Sequence, residues 1–247
     1  MLEKKIDSTI IDQLKKYDTP TICNVLELFP NQIRTSGYTD KRLQACYPKL
    51  PPMVGYAFTA SFRSASPPRQ GDVYSGLQQQ VEWMEKNKGP HVIVFQDLDE
   101  PSVAATFGEI MCTTYQKFGA VGLITSGTGR DLDQVEALQF PCFTQGTICS
   151  HGYCQIIDIQ IPVRVAGLTI HPGDLLHGDR NGVARIPIEQ IEDVVLGCQE
   201  YMAAEGIVLD YLRQGKVTAS GYQQARDGCH EAIKKIATRL QSKYSGK

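Results

Sequence analysis

The chain lacks any long apolar run: its most hydrophobic stretches, such as His91-Val92-Ile93-Val94-Phe95, are far too short to span a bilayer. Its opening, Met1-Leu2-Glu3-Lys4-Lys5-Ile6-Asp7, mixes charges and leads into no apolar segment, so no secretion signal is expected. Blocks of like charge are missing too. The 25 basic and 27 acidic residues are interspersed and leave a formal net charge of -2, which argues against an electrostatic surface for nucleic acid or membrane. A cytoplasmic protein with neither kind of partner is expected.

Several catalytic signatures are absent as well. There are 8 cysteines but no C-x-x-C pair, and without a secretion signal they read as buried reduced thiols. The tightest group, Cys149-Ser150-His151-Gly152-Tyr153-Cys154, lacks the fourth ligand and the spacing of a zinc site. The 5 histidines show no H-x-x-x-H or H-E-x-x-H spacing and read as surface or hydrogen-bonded residues. No G-x-S-x-G elbow exists, and Ser126 has no evident histidine partner. Gly127-Thr128-Gly129 fails as a dinucleotide loop because the third glycine would fall at Leu132, and no G-x-x-x-x-G-K-[ST] loop is present.

What is present describes one domain over 1–247, with a core over about 15–187 and a helical extension over about 188–247. Apolar residues at 6, 10, 11 and 14 form a helical stripe, and Thr19-Pro20 reads as an N-cap opening a second helix through Val25, Leu26 and Phe29. A strand over 56–62 and a loop over 64–71 follow, then a helix around 77–83, a buried strand over 92–95 and a helix ending near Phe118-Gly119. Strand 121–125, helix 132–138 and strand 141–143 complete an α/β alternation. From Ile156 to Pro187 the pattern turns antiparallel: Ile157, Ile159 and Ile161 alternate, and Asn181-Gly182 signals a hairpin. Helical spacing returns through Val194, Tyr201, Val208 and Leu212, and a last helix is expected over about 222–240.

The strand over 121–125 ends in a glycine-punctuated loop carrying Arg130-Asp131. Ligands of open α/β sheets bind at the carboxyl ends of strands, which makes this the best-placed charged pair in the chain. A second reading stays open: Asp131 could cap the helix that begins at Leu132.

Glu109, twenty intervening residues and then Arg130-Asp131 form a spaced motif. Ordered blocks surround it: Thr19-Pro20-Thr21 with Asn24, Gly55-Tyr56-Ala57-Phe58-Thr59, Phe107-Gly108-Glu109, Gly119-Ala120-Val121-Gly122, and Pro172-Gly173-Asp174-Leu175-Leu176-His177-Gly178-Asp179-Arg180-Asn181-Gly182-Val183. Over roughly residues 15–215 the chain resembles the RraA-like family, which includes 4-hydroxy-4-methyl-2-oxoglutarate aldolases, oxaloacetate decarboxylases and the regulator of ribonuclease activity. The resemblance implies an α/β swivelling β/β/α domain, phosphohistidine-domain-like, with N-terminal helices and a C-terminal helical extension. It implies a homotrimer or homohexamer with sites between subunits.

Carried over residue by residue, it implies Asp131 as the ligand of Mg²⁺ or Mn²⁺ and Arg130 as the partner of a substrate oxo group. Glu109 becomes an acid holding metal-bound water, and the backbone of Gly108, Glu109, Ile110 and Met111 a cradle for the substrate carboxylate. The stripe Val103, Phe107, Ile110 and Thr114 could start that helix at residue 103; the resemblance favours a start near Gly108. A further acid supplied by a neighbouring subunit has its counterpart in Glu205, with Glu200 and Asp210 as rivals. Ser126 and Asn24 stand where many relatives carry Asp, and are expected to shape the pocket.

The activity implied is a metal-dependent lyase that cleaves a 4-hydroxy-2-oxo acid, or oxaloacetate, through a pyruvate enolate. No lysine lies in an apolar strand, and Lys117 sits at an exposed helix end, which disfavours Schiff-base chemistry. The alternative from another class is a protein-binding regulator of the ribonuclease-regulator type.

Overall fold

A computed structural model describes residues 7–245; the expected contribution of Ile6 to the first helix lies outside the described residues. The fold follows the expected order, β/β/α in layers between two helical ends. Helices α1 (Ser8–Leu14) and α2 (Thr19–Leu26) come first. Asp18, not Thr19, is the N-cap of α2, its side chain accepting the Thr21 amide at 2.9 Å. Thr19 turns inward, where its amide donates to Asp179 at 2.9 Å and its hydroxyl pairs with His177 Nδ1 at 3.0 Å. The helix also stops at Leu26, short of Phe29, which reaches the core from the following turn.

The sheet is built on β2 (Met53–Arg63), 11 residues long. One edge of β2 pairs in parallel with β3 (His91–Asp97), which pairs with β5 (Ala120–Thr125), then β7 (Cys142–Thr144) and the two-residue β1 (Gln44–Ala45). The other edge is shared by β11 (Leu175–Asp179) and β8 (Gln155–Ile159), both antiparallel, and β11 continues to β12 (Gly182–Ile186). That last hairpin is the expected one, but Asp179 pairs with Gly182, so its loop is Arg180-Asn181. In β8 Ile156 is buried and Ile157 is 47% exposed, so of the alternating Ile157, Ile159 and Ile161 only the last two pack against the core.

Strand β3 explains the layering. Its side chains alternate between faces: Ile93 and Phe95 join Phe58, Phe62 and Leu123 under α3 (Leu77–Lys86), α4 (Glu109–Lys117) and α5 (Leu132–Ala137). Val92 and Val94 face the other way, onto the hairpin of β9 (Val163–Val165) and β10 (Leu168–Ile170). Both faces are covered, which is why this strand reads as an unbroken apolar run.

A third cluster joins α1 and α2 to the C-terminal helices α6 (Ile191–Leu212) and α7 (Ala219–Tyr244) through Leu14, Val25, Val194, Cys198, Ile236 and Leu240. Among the described residues, no helix is long and apolar enough to cross a membrane, and the cysteines are free thiols.

Candidate active site

Two very short strands, β4 (Ala105–Phe107) and β6 (Thr128–Gly129), form a parallel ladder apart from the main sheet. β4 occupies part of the stretch that helical spacing could have claimed from residue 103, and α4 starts at Glu109 with Gly108 as its N-cap. Each strand runs straight into a helix, β4 into α4 and β6 into α5. The spacing in the motif is therefore the length of one crossover, from the start of α4 through β5 to the end of β6.

The ladder decides what meets. Phe107 pairs with Gly129, and the Arg130 amide donates to the Phe107 carbonyl at 3.1 Å. One residue further on, the Glu109 amide donates to Asp131 Oδ2 at 3.0 Å. Asp131 thus caps α4, the helix 22 positions upstream, and makes no capping bond to its own helix α5. It does so from a left-handed backbone conformation, φ 54° and ψ 41°, which an aspartate tolerates better than most residues.

Two glycines permit this approach. A Cβ on Gly108 would lie 2.5 Å from Asp131 Oδ2, and one on Gly129 would lie 2.2 Å from the Phe107 ring. Behind the loop, four threonines satisfy its backbone. Thr106 donates to the Thr128 carbonyl at 2.9 Å, Thr128 to the Ala104 carbonyl at 2.9 Å and Thr144 to the Gly127 carbonyl at 2.7 Å, while Thr125 accepts the Gly127 amide at 2.9 Å. These buried bonds hold the backbone that presents Arg130 and Asp131.

Glu109, Ile110, Met111, Gly108, Arg130 and Asp131 share one cleft of about 360 Å³ with Tyr74, Leu77, Phe107, His151 and Cys154. Arg130 and Asp131 are both partly open to it, with Arg130 Nε 3.8 Å from Asp131 Oδ2. Burial raises the Tyr74 phenol above its ordinary pKa, with Arg130 beside it pulling the other way. Burial likewise pushes the Cys154 thiol up to about 12, so it stays protonated. Among the described residues no lysine lines the cleft, and Lys117 is exposed in the last turn of α4.

Tyr74 and His151 are the residues that sequence reading missed. Tyr74 has a positive φ of 68°, its amide donates to the Cys154 carbonyl at 2.7 Å, and its ring packs at a tilt against His151, centroids 5.4 Å apart. The loop expected over 64–71 ends just short of Tyr74, but nothing local tied it to residue 151. The buried histidines are structural: His91 bonds the Asn87 carbonyl, and His177 joins Thr19 and the Leu14 carbonyl.

Glu205 lies elsewhere in the chain, half-buried in a groove between α6 and α7. Its rivals are engaged, Glu200 with Arg239 and Asp210 with Arg213 at 2.8 Å. Among the described residues Glu205 has no ion-pair partner. Ser126 does not line the cleft; its hydroxyl accepts the Asp97 amide at 2.9 Å. Asn24 lies on α2 and is likewise absent from the cleft.

The RraA-like family model, described as aldolase/RraA, matches residues 19–185, more than half of the chain. The chain belongs to the RraA-like family. A protein of Halalkalibacterium halodurans named "Putative 4-hydroxy-4-methyl-2-oxoglutarate aldolase" is 32% identical over 130 residues, 52% of this chain and 62% of that one. The chain spans less than two thirds of the length of the curated relatives it matches. Two solved structures share the fold. An uncharacterized protein from Pseudomonas syringae pv. tomato superposes with a TM-score of 0.70 at 22% identity, over 90% of this chain and 95% of that one. RraAS2 of Streptomyces coelicolor, titled an unusual member of the RNase ES inhibitor RraA protein family, gives 0.66 at 20% identity, over 82% and 96%.

Proposed function

We propose that this RraA-like protein is a divalent-metal-dependent lyase that cleaves a 4-hydroxy-2-oxo acid, or decarboxylates oxaloacetate, by way of a pyruvate enolate. The observation that carries the reading is the convergence of Asp131, Arg130 and the first turn of α4 in one cleft. The named aldolase among its relatives supports the same class.

The donor set fits a hard cation. Asp131 Oδ2 is spent on the Glu109 amide, while Oδ1 has no partner among the described residues. No group of three or more His, Cys, Asp or Glu among the described residues could hold a metal ion, so a protein-built zinc cage does not arise. Mg²⁺ and Mn²⁺ are instead compatible with one protein carboxylate plus water and substrate oxygens. Held by Asp131, such an ion supplies Lewis-acid polarisation of the oxo group.

The chain's own groups do the rest. The Glu109 amide is committed to Asp131, so the substrate carboxylate takes the remaining amides of the first turn, at Ile110 and Met111, where the helix end favours an anion. Arg130 faces the oxo oxygen. A water held by the Glu109 carboxylate takes the proton of the distal hydroxyl and returns it to the enolate carbon after cleavage, so that pyruvate leaves as the keto acid. The carbon-carbon bond then breaks toward the 2-oxo half, and Arg130 stabilises the enolate charge. Loss of CO₂ from oxaloacetate gives the same enolate.

Subunit contact completes the proposal. The exposed Met202, Leu209 and Leu212, spaced at i, i+7 and i+10, put apolar side chains on one side of α6, suited to a trimer or hexamer, in which Glu205 serves a neighbour's cleft. The experiment is pyruvate release from oxaloacetate and from a panel of 4-hydroxy-2-oxo acids with Mg²⁺ or Mn²⁺. Turnover that requires the metal supports the reading; a panel without turnover refutes it.

A further inference from the structure

Taking the cleft as the 2-oxo acid site proposed above, we infer that Tyr74 is the positioning residue for Arg130: its phenol oxygen accepts a guanidinium N–H and so aims the fork that faces the substrate's oxo group. Arg130 has few other restraints. Its stem lies over Gly108, where a Cβ would be 3.2 Å from Nε and 3.3 Å from Cγ, and Nε stands 3.8 Å from Asp131 Oδ2. Among the described residues Asp131 is its one ion-pair partner, and that same oxygen already accepts the Glu109 amide. Tyr74 lines the cleft beside the guanidinium, close enough for a hydrogen bond that offsets part of the rise burial causes in the phenol's pKa. A guanidinium is planar with its donors rigidly placed, so a bond on one edge sets the direction of the rest.

The backbone shows that Tyr74 is held in place at a cost. A left-handed conformation is strained for a bulky side chain and persists only where the surroundings over-determine it. Outside glycine, Tyr74 and Asp131 are the cleft residues with a positive φ. Three contacts with the Cys154–Ile156 segment pin the turn. The Tyr74 amide donates to the Cys154 carbonyl at 2.7 Å, and the Ser75 carbonyl accepts the Ile156 amide at 3.1 Å. Gly76 (φ 90°) then packs so close that a Cβ would lie 2.7 Å from the Ile156 carbonyl. The ring itself leans on His151, planes 44° apart. Filling space against His151 needs only the ring; the hydroxyl beside Arg130 is what a phenylalanine could not supply.

The test is Tyr74→Phe, which keeps the ring and removes the hydroxyl, read by oxaloacetate turnover and by calorimetric binding of oxalate, a planar mimic of the enolate, both with Mn²⁺. The variant is expected to keep the urea midpoint and Mn²⁺ affinity of the parent while kcat falls at least about tenfold and oxalate binds at least about fivefold more weakly. In an Arg130→Lys background, where the planar fork is gone, the same change is expected to weaken oxalate less than about twofold. Parent-like turnover and oxalate binding in Tyr74→Phe would reduce Tyr74 to packing and overturn the inference, leaving the proposed function standing. An equal loss in both backgrounds would overturn it too, since Tyr74 would then act independently of Arg130. An unaltered protein that neither turns over oxaloacetate nor binds oxalate overturns the proposed function and the inference together.

Discussion

Asp131 caps the helix that begins at Glu109, its Oδ2 accepting the Glu109 amide at 3.0 Å across 22 residues of chain. That bond locks two strand-to-helix junctions together, and through it the spaced acid and the Arg-Asp pair become one site. Because Gly108 sits against the same oxygen, Gly108→Ala is expected to push the carboxylate away. Overpacking of this kind costs about 1–3 kcal/mol, read by urea unfolding, and pyruvate release should fall at least tenfold. An alanine variant of full activity would show that the contact between Asp131 and α4 is dispensable.

Gly129 and Phe107 form the rung beneath that bond. Phe107→Ala should cost about 3–5 kcal/mol as a large buried ring is lost, and Gly129→Ala should destabilise because its methyl would meet the ring. The double variant is expected to lose less than the sum, since removing the ring makes room for the methyl. Strict additivity in denaturant unfolding would contradict the packing described.

Much of the architecture was legible because it rests on local pattern. The run Val92–Phe95 read as a strand buried on both faces, and the hairpin near Asn181-Gly182 followed from turn chemistry. Errors arose where distant partners decide. Asp18 displaced Thr19 as the cap of α2 because Thr19 is drawn to His177 and Asp179 on β11. The capping reading of Asp131 was right in kind but pointed to the wrong helix, since α4 meets it only through a ladder too short to leave a periodic signal. Tyr74 and His151 escaped notice for the same reason: their meeting depends on β8 returning beside β2.

His177 offers a pH test of the joint between α2 and the sheet. Burial lowers its pKa from 6.5, chiefly by disfavouring the charged ring. The unfolded chain therefore binds the proton first as pH falls, so stability is full above about 6.5 and declines as pH drops through the window below it. His177→Gln should flatten this slope in urea titrations between pH 7 and pH 5. An unchanged slope would mean that His177 is not its source.

Glu205 tests the sharing of sites. Glu205→Gln and Asp131→Ala are each expected to lose most pyruvate release as pure proteins. Co-refolded in equal amounts, they should regain part of it, because some clefts then combine an intact Asp131 with a neighbour's intact Glu205. Mixtures no more active than either parent would place the whole site in one chain.

The most direct test of the metal assignment is Mn²⁺ binding measured by electron paramagnetic resonance alongside Mn²⁺-dependent pyruvate release, in the unaltered protein and in Asp131→Ala. The account predicts one bound ion per chain and metal-dependent turnover in the first, with both lost in a variant that still folds. Retention of Mn²⁺ binding and turnover by Asp131→Ala would contradict it.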